Sequence, residues 1–281
     1  MALKTGLRLL AVLLLAVIVM VVRQYGIASY RISTDAMEEA LHKGDFILVN
    51  KLTIKGNPGR NRVVLFTSPL LKDTATQPLF VSRLIGMPGD TIRVDNHGFS
   101  VNGLQIPRSP RTVSRYIVKQ NIQPTFLAAM DTLKIPVRNR KAELGGISLD
   151  LTAFEAYQLK EELPYSDKEL FQQESTESYR LIVPQKGRAY RLDANSLRAC
   201  REAILAETHG KAVIKDDKLF LDGKETTFFF FNQNYYWVLS DNTNNGIDSR
   251  HLGFIPANHM IGHALFCWFS IQPQRIFKPI R

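Results

Sequence analysis

The sequence is poor in cysteine, repeats and low-complexity tracts. Its 281 residues contain only two cysteines, Cys200 and Cys267, which excludes a disulfide-rich scaffold and any metal site built from four cysteines. Cys200 falls in a predicted helix and Cys267 in an apolar predicted strand. We therefore expect two separate buried thiols rather than a bridge.

Dense runs of a single charge are also missing. Lysine and arginine total 36 against 26 acidic residues, a net charge of +10, but the basic residues are scattered along the chain. This scatter disfavours a nucleic-acid partner and leaves an anionic membrane surface open. Hydrophobic residues make up 45% of the chain, which excludes a disordered protein and suffices for one large domain or a core domain with a second lobe.

The longest apolar run has 14 residues, LLAVLLLAVIVMVV over 9–22, and is shorter than the roughly 20 residues that a membrane span requires. Arg8 and Arg23 flank it, and their long side chains can reach an interface and extend the span over 6–27. We therefore predict a transmembrane anchor over 1–27, with the N-terminus on the cytoplasmic side. The alternative is a signal peptide cleaved near Ala28. Either interpretation places the rest of the chain outside the cytoplasm.

Beyond this run the pattern is mostly that of short strands. Runs rich in Val, Ile, Leu and Phe alternate with turns of Gly, Pro, Asn and Asp, and they predict strands over 46–51, 63–67, 79–85, 91–94, 226–239 and 261–269. This spacing indicates a mainly β fold with an antiparallel barrel or sandwich core. The phenylalanine run 228–231 is interpreted as a strand buried on both faces.

The middle of the chain has helical signals. Thr152 with Glu155 forms a capping-box pattern, and Ser166 with Glu169 repeats it. A third helix is predicted over 196–207. These signals predict four parts: the anchor 1–27, a first part of the β core over 28–105, an α+β insertion over 106–224, and a second part of the β core over 225–281.

Three stretches carry a family resemblance. They are ISTDAMEEALHKGDFILVNK over 32–51, FVSRLIGMPGDTI over 80–92 and SDNTNNGIDSRHLGFIP over 240–256. Together with an N-terminal apolar segment, and in this order, they resemble the type I signal peptidases. The resemblance covers the β core, whereas the insertion is similar only in its placement.

The resemblance implies a serine–lysine endopeptidase, in which a serine attacks the scissile carbonyl and a neutral buried lysine takes its proton. The nucleophile position is Ala36 here, and the general-base position is Ser82. The serine that orients the lysine falls at Gly246. Thr34 stands at the oxyanion position and keeps a hydroxyl. Other departures from the family pattern stand at Glu39, Ala40, Ser240, Thr243 and Leu252.

The resemblance also implies a substrate groove and a structural loop. The groove for small side chains is expected at Ile32, Met37, Leu41, Phe80 and Val81. The loop comprises Asp241, Asn242, Asp248, Ser249 and Arg250, with an ion pair between Asp248 and Arg250. No cofactor and no metal are implied, and His259 and His263 are assigned structural roles because no glutamate follows His259 as a zinc protease would need.

We therefore predict a catalytically degenerate signal peptidase homologue of the bacterial inner (plasma) membrane, with most of the chain on the periplasmic side. Its expected partners are exported preproteins or their signal peptides, membrane lipid and an active paralogue, and no nucleic acid. An alanine cannot attack a carbonyl, and a serine is no general base near neutral pH.

Three alternatives stay open. One is an active signal peptidase in which Ala36 is an engineered change. Another is a rearranged site with Ser33 or Ser82 as nucleophile and His42 or Lys43 as base, although Ser33 points away from Thr34 and Ala36 if that segment is a strand. The third is a relative of the cytoplasmic self-cleaving repressors, which the apolar N-terminus disfavours.

Overall fold

The computed structural model describes residues 2–38, 40–52, 58–70, 78–95, 98–106, 113–174, 178–242 and 246–280. Its α-helices are α1 Ala2–Val21, α2 Gln123–Thr132, α3 Ala153–Glu162, α4 Ala194–Glu207 and α5 Ser249–Leu252. Its strands are β1 Ile27–Arg31, β2 Phe46–Asn50, β3 Val63–Thr67, β4 Leu79–Gly86, β5 Thr91–Asp95, β6 Gly98–Val101, β7 Leu104–Ile106, β8 Val113–Lys119, β9 Arg138–Glu143, β10 Gly146–Thr152, β11 Phe171–Gln173, β12 Tyr179–Ile182, β13 Ala189–Arg191, β14 Ala212–Lys215, β15 Lys218–Leu221, β16 Lys224–Thr226, β17 Phe228–Phe230, β18 Tyr235–Leu239, β19 Ile255–Pro256 and β20 Met260–Phe269.

An antiparallel seven-stranded sheet forms the centre of the molecule, in the order β1-β2-β20-β3-β4-β18-β19. Strands from the two ends of the chain meet in it, since β2 pairs with β20 and β4 pairs with β18. The predicted mainly β fold is confirmed. The apolar runs that predicted these strands supply side chains buried on the faces of the sheet, such as Ile47 and Val49 in β2.

The predicted insertion contains two packing environments. Residues 113–173 form a lobe in which the sheet β11-β8-β10-β9 packs on α2 and α3 around its own core, which includes Val118, Phe126, Leu149 and Phe171. Residues 179–221 instead share a core with the strands that precede the insertion, since Leu181, Leu197 and Cys200 pack with Ile85 and Ile92. Sequence periodicity did not distinguish these two halves.

The helix signals were correct in two of three places. The capping box of Thr152 and Glu155 is present at α3, and α4 begins two residues before the predicted start because Asp193 and Ser196 form a second capping box. The predicted cap at Ser166 is wrong. Residues Tyr165–Leu170 form a 3-10 helix, and the Ser166 hydroxyl donates to the Asp167 carboxylate instead of capping a backbone amide.

The prediction that the phenylalanine run is buried on both faces is also wrong. Phe228 and Phe230 are 48% and 61% exposed, whereas Phe229 and Phe231 are 6% and 1% exposed. Strand β17 pairs only with β13 among the described strands, so it is a half-buried strand with one solvent-facing side.

Helix α1 spans 20 residues and continues into a single π-helical turn, Val22–Gly26. Within the described residues, no helix combines the length and apolar character needed to cross a membrane. The predicted transmembrane anchor is therefore not confirmed by the structure.

Candidate active site

The three positions that the resemblance implies to be degenerate, Ala36, Ser82 and Gly246, all lie next to the segment 240–242, which follows β18. The Asn242 amide donates to the Ala36 carbonyl at 3.0 Å. The hydroxyls of Ser82 and Ser240 lie 3.3 Å apart. Gly246 lies so close to Ser240 that a Cβ added at Gly246 would be 2.1 Å from the Ser240 side chain. The sheet therefore gathers residues from three distant parts of the chain at one corner.

The Ser82 hydroxyl bonds to the backbone of its own strand. Ser82 is fully buried in β4, and its Oγ donates to the Val81 carbonyl at 2.8 Å. The hydroxyls of Ser82 and Ser240 also lie 3.3 Å apart, and either one can be the donor in that contact. The residue at the general-base position is therefore a buried neutral hydroxyl.

Ala36 lies in the turn that follows β1, with 6% of its surface exposed. Its methyl group offers neither proton nor lone pair, so the nucleophile position carries no reactive group. Thr34 and Ser33 are both exposed in the preceding loop. The expectation that Ser33 lies on a strand is wrong because β1 ends at Arg31, and the alternation argument does not apply there.

The structural loop is present as the resemblance implied. Asp248 is fully buried and forms the predicted ion pair, with Arg250 Nη2 2.8 Å from Asp248 Oδ2. The same carboxylate accepts from the Ser240 amide at 2.8 Å. The Ser249 hydroxyl accepts from the Val238 amide at 2.9 Å. These bonds fasten α5 to the end of β18 and fix the position of Ser240.

Sequence reasoning missed a second ion pair beside the site. Arg83 follows Ser82, and its guanidinium binds both Asp241 oxygens, with Nε–Oδ1 at 2.8 Å and Nη2–Oδ2 at 2.6 Å. Asn242 adds a bond from its Nδ2 to Glu38 Oε2 at 3.1 Å. The sequence carried one signal for this pair, because Arg83 is the one charged residue in an apolar strand pattern. An arginine is costly to bury without a partner, so a carboxylate partner could have been predicted.

A third cluster that the sequence did not reveal holds the base of the loop that carries Ala36. Asp45 accepts from the Ser270 hydroxyl at 2.6 Å and from Arg275 Nη2 at 2.9 Å. The oxygen that binds Arg275, Oδ2, also accepts from the His42 amide at 2.9 Å. Burial acts to raise the pKa of Asp45, but the hydrogen bonds from Ser270, His42 and Arg275 outweigh it and lower the pKa.

The predicted groove residues are mostly parts of the core. Ile32, Met37, Leu41 and Val81 are buried together in one apolar cluster. Phe80 is half-buried and stacks on Phe66 with ring centroids 5.8 Å apart. Their role as groove walls stays a prediction. Of the neighbouring departures from the family pattern, Glu39 and Thr243 lie outside the described residues.

The two histidines and the two cysteines lie apart from this corner in separate contacts. His259 Nδ1 is 3.0 Å from the Thr67 hydroxyl, and His263 Nε2 is 2.8 Å from Arg62 Nη1. Both cysteines are free and buried, as expected. Burial raises the pKa of both thiols, so neither is activated as a nucleophile.

One corner of the β core thus combines an Asp-Asn loop, a buried Asp–Arg pair and an exposed loop that carries hydroxyls. Comparison with known proteins gives the class of the protein. The family model described as "Signal peptidase, peptidase S26" matches residues 6–269. The chain is therefore a member of the type I signal peptidase family.

Curated relatives agree along most of the chain. Signal peptidase I of Aquifex aeolicus is 25% identical over 258 residues, covering 92% of this chain and 81% of the relative. Signal peptidase I of Buchnera aphidicola subsp. Baizongia pistaciae is 24% identical over 272 residues, covering 91% and 74%. Signal peptidase I of Pseudomonas aeruginosa is 32% identical over 89 residues, covering 27% and 30%.

Proposed function

We propose that this chain is a catalytically inactive signal peptidase homologue that binds extended peptide segments of exported preproteins. The observation that carries the proposal is the pair of residues at the reactive positions. The Ala36 methyl group cannot attack a carbonyl, and at the base position the buried Ser82 hydroxyl, bonded to the Val81 carbonyl at 2.8 Å, replaces the lysine amine that the family resemblance places there. The chain therefore lacks the two groups of serine–lysine catalysis at these positions.

The edge of β4 supports peptide binding. Strand β3 pairs along its full length with the first part of β4, from Leu79 to Arg83. Strand β18 pairs with β4 only from Arg83 to Gly86. Among the described strands, the first half of β4 is therefore paired on one side only. An extended peptide can add to such an edge through its backbone, and here it would pass beside Ser82.

The test measures binding and cleavage together. The detergent-purified chain is incubated with a fluorescent signal peptide, with anisotropy reporting binding and mass spectrometry reporting cleavage. We expect saturable binding and an intact peptide. A matched peptide with N-methyl groups at alternate backbone amides should bind more weakly, because it loses the hydrogen bonds of an added strand.

Two outcomes would contradict this proposal. Cleavage by the unmodified chain that disappears in Ser33→Ala or Ser82→Ala would establish a rearranged active site. Equal binding of the plain and N-methylated peptides would exclude strand addition.

We further propose that α1 anchors the chain in the bacterial inner membrane, with the β core on the periplasmic side. The side chains of α1 from Val12 to Val21 are largely exposed. Trp268 is 41% exposed, and its indole Nε1 donates at 2.7 Å to the hydroxyl of Ser29, which lies in the strand that follows this helical segment. Aromatic side chains of this kind favour the membrane–water interface.

Extraction of membranes at alkaline pH tests the anchor. We expect the chain to remain with the membrane pellet and a chain lacking residues 2–21 to be released. Release of the intact chain would contradict the anchor and leave the peptide-binding proposal unaffected.

A further inference from the structure

Ser240 and Gly246 are in closer contact than two side chains would allow. A Cβ built on Gly246 would lie 2.1 Å from both Cβ and Oγ of Ser240, and 2.9 Å from the Asn242 carbonyl oxygen. A distance of 2.1 Å lies far inside van der Waals contact. Rotating the Ser240 hydroxyl gives no relief because Cβ, which does not move with χ1, is equally close. With a Cβ at 240, a side chain at 246 would require the backbone to shift, whereas without that Cβ only the 2.9 Å contact with the Asn242 carbonyl oxygen would remain to be relieved.

The Ser240 side chain also occupies the space in front of Ser82. Its Oγ lies 3.3 Å from the Ser82 Oγ, and both residues are buried, with 2% and 0% exposure. A lysine at position 82 would place its Cγ close to the present Ser82 Oγ, so the rest of its stem would have to pass Ser240. The Ser240 amide donates to the Asp248 carboxylate at 2.8 Å. This bond restrains the Ser240 backbone from moving away from Ser82.

We infer that Ser240 and Gly246 are one coupled change, and that Ser240 is the residue that locks the site against serine–lysine chemistry. The hydroxyl that the family resemblance places at 246 is here at 240, and its Cβ excludes a side chain at 246. Restoring Ala36→Ser, Ser82→Lys and Gly246→Ser is therefore insufficient. Ser240→Gly must accompany them. The part of this inference that concerns activity rests on the proposed function, whereas the coupling does not.

A double-mutant cycle on thermal stability tests the coupling in the full chain. We expect Gly246→Ser alone to lower the melting temperature by roughly 5 °C, as overpacking does. With Ser240→Gly present, the same change should lower it far less. The matched control is Ser240→Ala, which removes the hydroxyl and keeps Cβ, so it should not rescue Gly246→Ser. Additive effects of Ser240→Gly and Gly246→Ser, or rescue by Ser240→Ala, would overturn the inference.

The rate of peptide cleavage is a second measurement, and it would not change if Ser240 had only a structural role. Two chains carry Ala36→Ser, Ser82→Lys and Gly246→Ser, and only one of them also carries Ser240→Gly. We expect the chain with Ser240→Gly to cleave about a hundredfold faster, the usual effect of relieving an ångström-scale misplacement of a catalytic group. Equal cleavage rates in the two chains, including no cleavage by either, would overturn the inference that Ser240 blocks serine–lysine chemistry. Cleavage by the unmodified chain would contradict the proposed function but leave the stability cycle unchanged.

Discussion

The loop that frames the candidate site and the positions that would carry its chemistry differ in how they are held. The loop is fixed by buried charged groups, since Asp248 binds Arg250 and the Ser240 amide and Asp241 binds Arg83. The reactive positions are held by neutral contacts, namely the Ala36 carbonyl and the Ser82 hydroxyl. The charged contacts that fix the loop therefore do not involve the side chains of Ala36 and Ser82. The loss of catalysis that we propose leaves these contacts intact.

The largest expected effect is on the loop. Asp248→Ala removes the acceptor for the Ser240 amide and leaves the Arg250 guanidinium without its carboxylate. We expect a loss of about 4 kcal/mol in the free energy of unfolding, typical of breaking a buried ion pair, measured by urea denaturation. The control is Glu225→Ala, which breaks the exposed pair with Lys218 and should cost about 0.5 kcal/mol or less. Similar losses for the two variants would refute the contrast between loop and surface.

A smaller effect is expected beside Ser82. Arg83→Gln replaces a guanidinium that binds both Asp241 oxygens by a neutral amide that reaches at most one of them. Hydrogen bonds to charged groups are worth about 2 kcal/mol, and we expect a loss of that order in the free energy of unfolding. Hydrogen exchange should show faster exchange at the Asp241 and Asn242 amides. Unchanged exchange there would mean that Arg83 does not hold the loop.

The scaffold could be predicted from the sequence only where its pattern is local or belongs to the family. The Asp248–Arg250 pair lies within three residues and follows from the resemblance, and the Thr152 capping box follows from helix physics. The Arg83–Asp241 pair joins residues 158 positions apart. No periodicity encodes that distance, and only the sheet order brings the two residues together.

The site itself shows the same limit. The family resemblance named Ser240 and Gly246 as departures from the family pattern, and the structure places these two residues in contact. The steric coupling between these two residues depends on a close approach of two segments, which a sequence cannot report. The split of the insertion into an independent lobe and a part of the core likewise depends on β12 pairing with β5, a long-range contact between short strands.

The pH dependence of stability tests the hydrogen bonds at the base of the Ala36 loop. The pKa of Asp45 is lowered in the folded protein, so its contribution to stability is present above the unfolded value of about 3.9. That contribution is lost as the pH falls through the lower folded value. We expect Asp45→Asn to cost roughly 1.5 kcal/mol at pH 7 and the difference from the unmodified chain to shrink toward pH 3 in urea titrations. A difference that stays constant with pH would show that the charge of Asp45 does not matter.

The smallest expected effect is at Ser82, where the family resemblance places the general base. It tests whether this position contributes less to stability than the charged groups of the loop. Ser82→Ala removes one hydroxyl that bonds to the Val81 carbonyl and lies 3.3 Å from the Ser240 hydroxyl, both of them neutral groups. Neutral hydrogen bonds contribute about 1 kcal/mol each, and removing the hydroxyl leaves Ser240 with an unused donor that can rotate. We therefore expect a loss of about 1 kcal/mol in the free energy of unfolding and unchanged peptide binding. A loss comparable to that of Asp248→Ala would make Ser82 part of the scaffold, and its serine would then be kept for stability rather than left over from lost chemistry.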